Sequence, residues 1–131
     1  MLRALSWAGK NGVLAAKVLE RGVPTAYLDE LIGELGLSGK ELELVFGLTR
    51  PTLSRRRKRG VLAKEEGERL YRLARLYGLA RELLGEEEAR LWLRRPHPAL
   101  MGETPLMALR LEPSAREAEE ALMRGAFGVV P

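Results

Sequence analysis

The sequence predicts an all-α protein in which an N-terminal helix-turn-helix bundle is joined by a long central helix to a small C-terminal helical domain. Three observations carry this. Leu supplies about one residue in five and hydrophobic residues 46% of the 131-residue chain, and the short β-branched run Val129-Val130 lies at the extreme C-terminus. Apolar residues recur every three or four positions. Helix start and stop residues punctuate the pattern at short intervals.

Residues 1 to 22 read as a helix-prone N-terminal arm broken by Gly9, Gly12 and Gly22. After Pro24, Leu28, Leu31, Ile32 and Leu35 fall on one helical face and Gly36 supplies a stop. Ser38 is placed as an N-cap with Glu41 completing a capping box, and Leu42, Val45 and Phe46 form the buried stripe of a short helix that Gly47 ends. Thr49 caps a third helix whose first turn holds Pro51, where a missing amide costs little. Leu48 and Leu53 then occupy the two positions of a hydrophobic staple.

A long helix is predicted from Lys64 to Leu84, with Leu70, Leu73, Tyr77, Ala80 and Leu84 in one row and Leu76, Leu79 and Leu83 widening it. So broad an apolar face implies a spine buried on more than one side. A shorter helix, Glu86 to Leu93, precedes Arg95-Pro96, and two more are expected at about 105 to 111 and 114 to 124. Gly125 to Pro131 reads as an extended apolar tail. The predicted division is an arm over 1–22, a helix-turn-helix domain with its spine over 23–85, and a C-terminal domain over 86–131.

Charge is unevenly placed. The net +4 resolves into 11 basic and 6 acidic side chains over residues 1 to 60, against 11 and 12 over the remainder. Arg50 to Arg59 alone holds six positive charges and no negative one, a local field suited to a polyanion. With Leu53 turned inward, a step of about 100° per residue puts Arg55 and Lys58 outward, flanked by Thr52, Ser54 and Arg59. A short helix, a tight Gly-Leu-Thr turn and a basic second helix form a helix-turn-helix signature, and the expected DNA contacts are Arg50, Thr52, Ser54, Arg55, Arg56, Lys58 and Arg59. Arg can pair bidentately with guanine, whereas Arg56, Arg57 and Lys58 suit the phosphate backbone. The competing reading is a solvated charge run that merely ends a helix.

The same residues argue against catalysis. There is no Cys and a single histidine, His97, so thiol and Ser-His-Asp mechanisms lack material, and no metal site or cofactor is expected. The carboxylates of Glu86, Glu87 and Glu88 diverge around a helix and suit its N-terminal dipole. Lys10 and Lys17 interrupt the apolar start, so neither a signal peptide nor a membrane span is expected and the reading is cytoplasmic.

The stretch Gly36-Leu37-Ser38, with Gly47-Leu48-Thr49-Arg50-Pro51-Thr52-Leu53-Ser54-Arg55-Arg56, resembles the Xre-like helix-turn-helix of the Xre/MbcA/ParS antitoxin family. Trp92-Leu93-Arg94-Arg95-Pro96-His97-Pro98-Ala99-Leu100-Met101-Gly102-Glu103-Thr104-Pro105-Leu106 is similar to that family's toxin-binding motif, so the resemblance covers roughly residues 22 to 131. It departs at His97, where the family usually has Asn, and at Gly125-Ala126-Phe127 before the final glycine. The resemblance implies a type II antitoxin that pairs with a RES-domain, NAD-consuming toxin and represses its own operon. It also implies that Arg124, Phe127, Gly128, Val129 and Val130 contact the toxin and obstruct its cleft. A Gly-flanked apolar tail after the last helix would be accessible to a partner, the competing reading being a tail that packs on its own core, and Trp92 and Pro105 have plain readings as core residue and helix start. Two further readings stay open: a stand-alone helix-turn-helix regulator without a toxin partner, and an interaction scaffold. A homodimer is expected, because one helix-turn-helix grips a single half-site weakly.

Overall fold

The structure, a computed structural model, describes residues 2–126. Nine α-helices and one 3-10 turn make up its regular elements, and among these residues the only sheet-like pairing is an isolated bridge between Pro24 and Val61. The order is α1 (Arg3–Ala8), α2 (Gly12–Arg21), α3 (Thr25–Leu35), α4 (Gly39–Phe46), α5 (Arg50–Arg59), α6 (Lys64–Leu84), α7 (Glu86–Leu93), the 3-10 turn (Pro98–Leu100), α8 (Pro105–Ala108) and α9 (Glu112–Ala126).

α6 is the spine. Its residues Leu70, Leu73, Ala74, Leu76, Tyr77 and Ala80 are all buried, spread over an arc of about 160°. They meet α1, α2 and α4 from the N-terminal side of the chain and α7 and α9 from the C-terminal side. An apolar face this wide is met by several elements at once, as the sequence anticipated. Leu83, at the end of that face, remains 38% exposed.

The first 22 residues do not stand apart. Trp7 of α1 is buried, its indole N–H donates to the Ala15 carbonyl of α2 at 3.2 Å, and its ring lies 5.6 Å from Tyr27 of α3 and 5.3 Å from Tyr71 of α6. One aromatic side chain thus ties four helices, and the glycines expected to break the arm fall at helix ends: Gly9 closes α1, Gly12 opens α2 and Gly22 closes it.

Residues Val23–Thr25 and Gly60–Leu62 run together briefly. Thr25 N–H donates to Gly60 O at 3.0 Å and Leu62 N–H to Val23 O at 2.9 Å, so the two ends of the helix-turn-helix unit are tied to each other. At the other end of the chain α9 continues through Gly125 to Ala126, where an extended tail was expected to have begun. Gly costs only about 1 kcal/mol in a helix, which fifteen residues packed on α6 absorb.

Candidate nucleic-acid interface and partner-binding half

α4, its turn and α5 are held by the local signals their sequence carries. Ser38 Oγ accepts from Glu41 N–H at 3.1 Å while a Glu41 carboxylate oxygen accepts from Ser38 N–H at 3.0 Å, a complete capping box. Gly47 closes α4 in the left-handed region at φ 71°, where a residue with a Cβ would be disfavoured. Thr49 then caps α5, with Pro51 in its first turn, and Leu48 and Leu53 are both buried.

α5 divides by direction. Arg56 and Arg57 lie within about 60° of the buried Leu53 on the helical wheel, and both are recruited by carboxylates of neighbouring helices. Arg57 donates twice to Asp29 of α3, at 2.8 and 3.2 Å. Arg56 donates from Nε and Nη2 to the two carboxylate oxygens of Glu66, at 2.8 and 3.1 Å, and the side chains keep only 20% and 10% exposure. Arg56, expected on the DNA face, is thus engaged by Glu66, and the pair packs α5 on the start of α6.

The remaining expected residues are not engaged in this way. Arg50, Ser54, Arg55, Lys58 and Arg59 are exposed, Thr52 is half-buried, and among the described residues none of the four cations meets a carboxylate within ion-pair distance. Arg55 Nη2 donates to Thr52 Oγ1 at 3.2 Å, which sets its stem along the first turn. The outward face is thus cationic, with hydroxyls among the charges, on a helix whose inward side is anchored. Burial alone would raise the pKa of Glu66, but the Arg56 hydrogen bonds and the Ala63 N–H, which donates at 2.8 Å, outweigh it and hold the carboxyl below its ordinary range.

The C-terminal half is bound to this unit by arginines. Arg94, at the end of α7, donates from Nε and Nη2 to the carboxylate of Glu41 at 2.9 and 3.0 Å, and from Nη2 to the Leu35 carbonyl at 2.9 Å. Arg72 of α6 donates to the carbonyls of Leu109 and Arg110 at 2.7 and 2.8 Å, satisfying the end of α8. Arg75 and Glu119 form a two-pronged pair between α6 and α9. Buried Tyr77 donates to Glu34 of α3 at 2.7 Å, and burial first, then that carboxylate, pushes its pKa up to about 12. None of these arginine contacts carries a spacing signal in the sequence.

Of the expected partner-contact residues, Arg124 lines an open groove of about 620 Å³ between α6 and α9, with Arg72, Arg116 and Met123. Phe127, Gly128, Val129 and Val130 lie outside the described residues. Trp92 is half-buried against the core and Pro105 is fully buried at the first position of α8. His97 Nδ1 accepts from Ala99 N–H at 3.1 Å and so caps the 3-10 turn. Among the described residues no cluster of His, Asp and Glu has metal-binding geometry, and no helix is long and apolar enough to cross a membrane.

A capped basic helix presented by a helix-turn-helix frame, with a second helical module on the same spine, defines a DNA-binding protein with an appended interaction module. Comparison with protein families sharpens this. Residues 14–75 match the antitoxin Xre-like helix-turn-helix domain, and residues 79–128 match the antitoxin Xre/MbcA/ParS C-terminal toxin-binding domain. The chain carries the domain pairing of an antitoxin, with a toxin and DNA as the partners that pairing implies. No curated protein matches the chain.

Proposed function

We propose that this protein is the antitoxin of a type II toxin-antitoxin system, pairing with a RES-domain toxin that consumes NAD and repressing its own operon as a homodimer. The observation that carries the reading is the co-occurrence, on one shared spine, of a free cationic helix face and a matched toxin-binding module. The NAD chemistry belongs to the partner, and this chain contributes binding alone. Arg50, Thr52, Ser54, Arg55, Lys58 and Arg59 are its DNA contacts. Arg124 and the residues after it, Phe127, Gly128, Val129 and Val130, are the segment that obstructs the toxin's cleft. The groove beside Arg124 supports this, because it leaves the last turn of α9 approachable.

Co-expression with the product of the neighbouring gene tests the proposal. A stable complex that suppresses NAD loss, and whose protection fails when the chain is truncated after Arg124, is the expected result. No complex, together with retained salt-dependent binding to the promoter, would leave a stand-alone dimeric regulator as the function.

A further inference from the structure

Met101 is the sole residue other than glycine with a positive φ among the described residues, at φ 55° and ψ 37°. Among the described residues it is also the most exposed large hydrophobic side chain, at 97%. Both features are unfavourable for folding: the left-handed conformation crowds a Cβ, and an isolated methionine in water gains nothing from burial. A glycine would meet the same turn without strain, as Gly102 does beside it at φ 87°.

The loop that presents Met101 is rigidly built. Leu100 and Gly102 N–H groups both donate to His97 O, at 2.9 and 3.1 Å, and Met101 N–H donates to Pro98 O at 3.0 Å. His97 N–H reaches Glu103 O at 3.1 Å, and the His97 ring caps Ala99. Glu103 is paired with Arg110 at 3.3 Å, which fixes the loop to the corner where Leu111 stands 65% exposed. A strained, fully exposed apolar side chain held on a hydrogen-bonded turn is an ordered projection, prepared at the expense of stability.

We propose that Met101 is a preset apolar contact by which the C-terminal half grips the toxin, seated in an apolar recess of that partner and separate from Arg124 and the chain beyond it. The inference rests on the antitoxin reading above, and the partner follows from the position of the loop inside the toxin-binding match over 79–128. An unbranched, polarizable side chain fits an irregular recess well, and because the turn already holds it outward, little ordering is left to do on binding.

The test uses the full chain, its Met101→Gly and Met101→Asn variants, and the purified product of the neighbouring RES-domain gene. Both replacements tolerate a positive φ, so the free variants are expected to hold or raise their thermal midpoint, by roughly 2–5 °C for glycine. The same variants are expected to bind the toxin about ten- to a hundredfold more weakly. Unchanged affinity would overturn the proposal while leaving the antitoxin reading intact. Weakened affinity with a lowered midpoint would overturn it too, by showing that Met101 acts through the fold. Failure of the unsubstituted chain to bind would remove the antitoxin reading and this contact with it.

Discussion

Replacing Glu66 by alanine would strand Arg56. In the native structure the Glu66 carboxylate accepts both arms of that guanidinium and the Ala63 N–H at the start of α6, with little solvent access to either side chain. Hydrogen bonds to charged groups contribute about 1.5–3 kcal/mol each, and removing one partner of a fully buried ion pair costs about 3–5 kcal/mol. The 20% exposure of the Arg56 side chain lets water recover part of that loss, so Glu66→Ala is expected to cost about 2–4 kcal/mol. For a chain of this size that is roughly a 8–15 °C fall in thermal midpoint. Arg56→Met with Glu66→Met should be milder than Glu66→Ala alone, because no charge is left without a partner. Urea unfolding followed by circular dichroism would supply all the values. A single-variant loss under about 1 kcal/mol, or a coupling between the two sites under about 0.5 kcal/mol, would refute the assignment of Arg56 to packing.

Three further outcomes follow from the same geometry. Lys58→Met should weaken binding to the promoter upstream of the chain's own gene and lower the salt slope by about one, whereas Arg56→Met should leave the slope unchanged; fluorescence anisotropy at several salt concentrations separates them. Glu41 is held below its ordinary value of 4.5 by the Arg94 hydrogen bonds against burial, and Glu66 by Arg56 and Ala63 against a larger burial cost. A depressed carboxyl stabilises the fold above its unfolded value and stops doing so as pH falls through the folded one, so the thermal midpoint should drop below about pH 4.5, and less steeply in Glu41→Gln with Glu66→Gln. Gly67→Ala would gain about 1 kcal/mol of helix propensity but set its Cβ 2.8 Å from Cγ2 of the buried, branched Val23; net destabilisation of about 1–2 kcal/mol in urea is expected.

What could be read in advance was whatever nearby residues decide. The bounds of α4 and α5 follow from Ser38, Thr49, Pro51 and the closing glycines Gly47 and Gly60, the join of α6 to α7 from Gly85, and the end of α7 from Arg95-Pro96 just beyond it. The breadth of α6's apolar face implied its central place, and the structure agrees. What local pattern left unread depends on partners distant in sequence. Arg56 looked like its neighbours in a charge run, and only the return of the chain at Glu66 distinguishes it. The helix-prone arm is α1 and α2, but their seat on the core depends on Trp7 reaching Tyr27 and Tyr71, which no local pattern encodes. The strain at Met101 is a backbone angle, which composition does not encode.

The arrangement of α6 bears on how such a protein is removed. At about 1.5 Å per residue its 21 residues span roughly 30 Å, and each half of the chain folds onto the same length of helix. Arg94 closes the two halves over it by holding both Glu41 and the Leu35 carbonyl. Opening either half strips one side of that helix and releases the clasp, so local breathing is expected to spread through the whole chain rather than stop at a border. On the proposed reading, a protease acting on such openings would eliminate operator occupancy and toxin restraint in the same event, giving a switch with two states and no half-disarmed form.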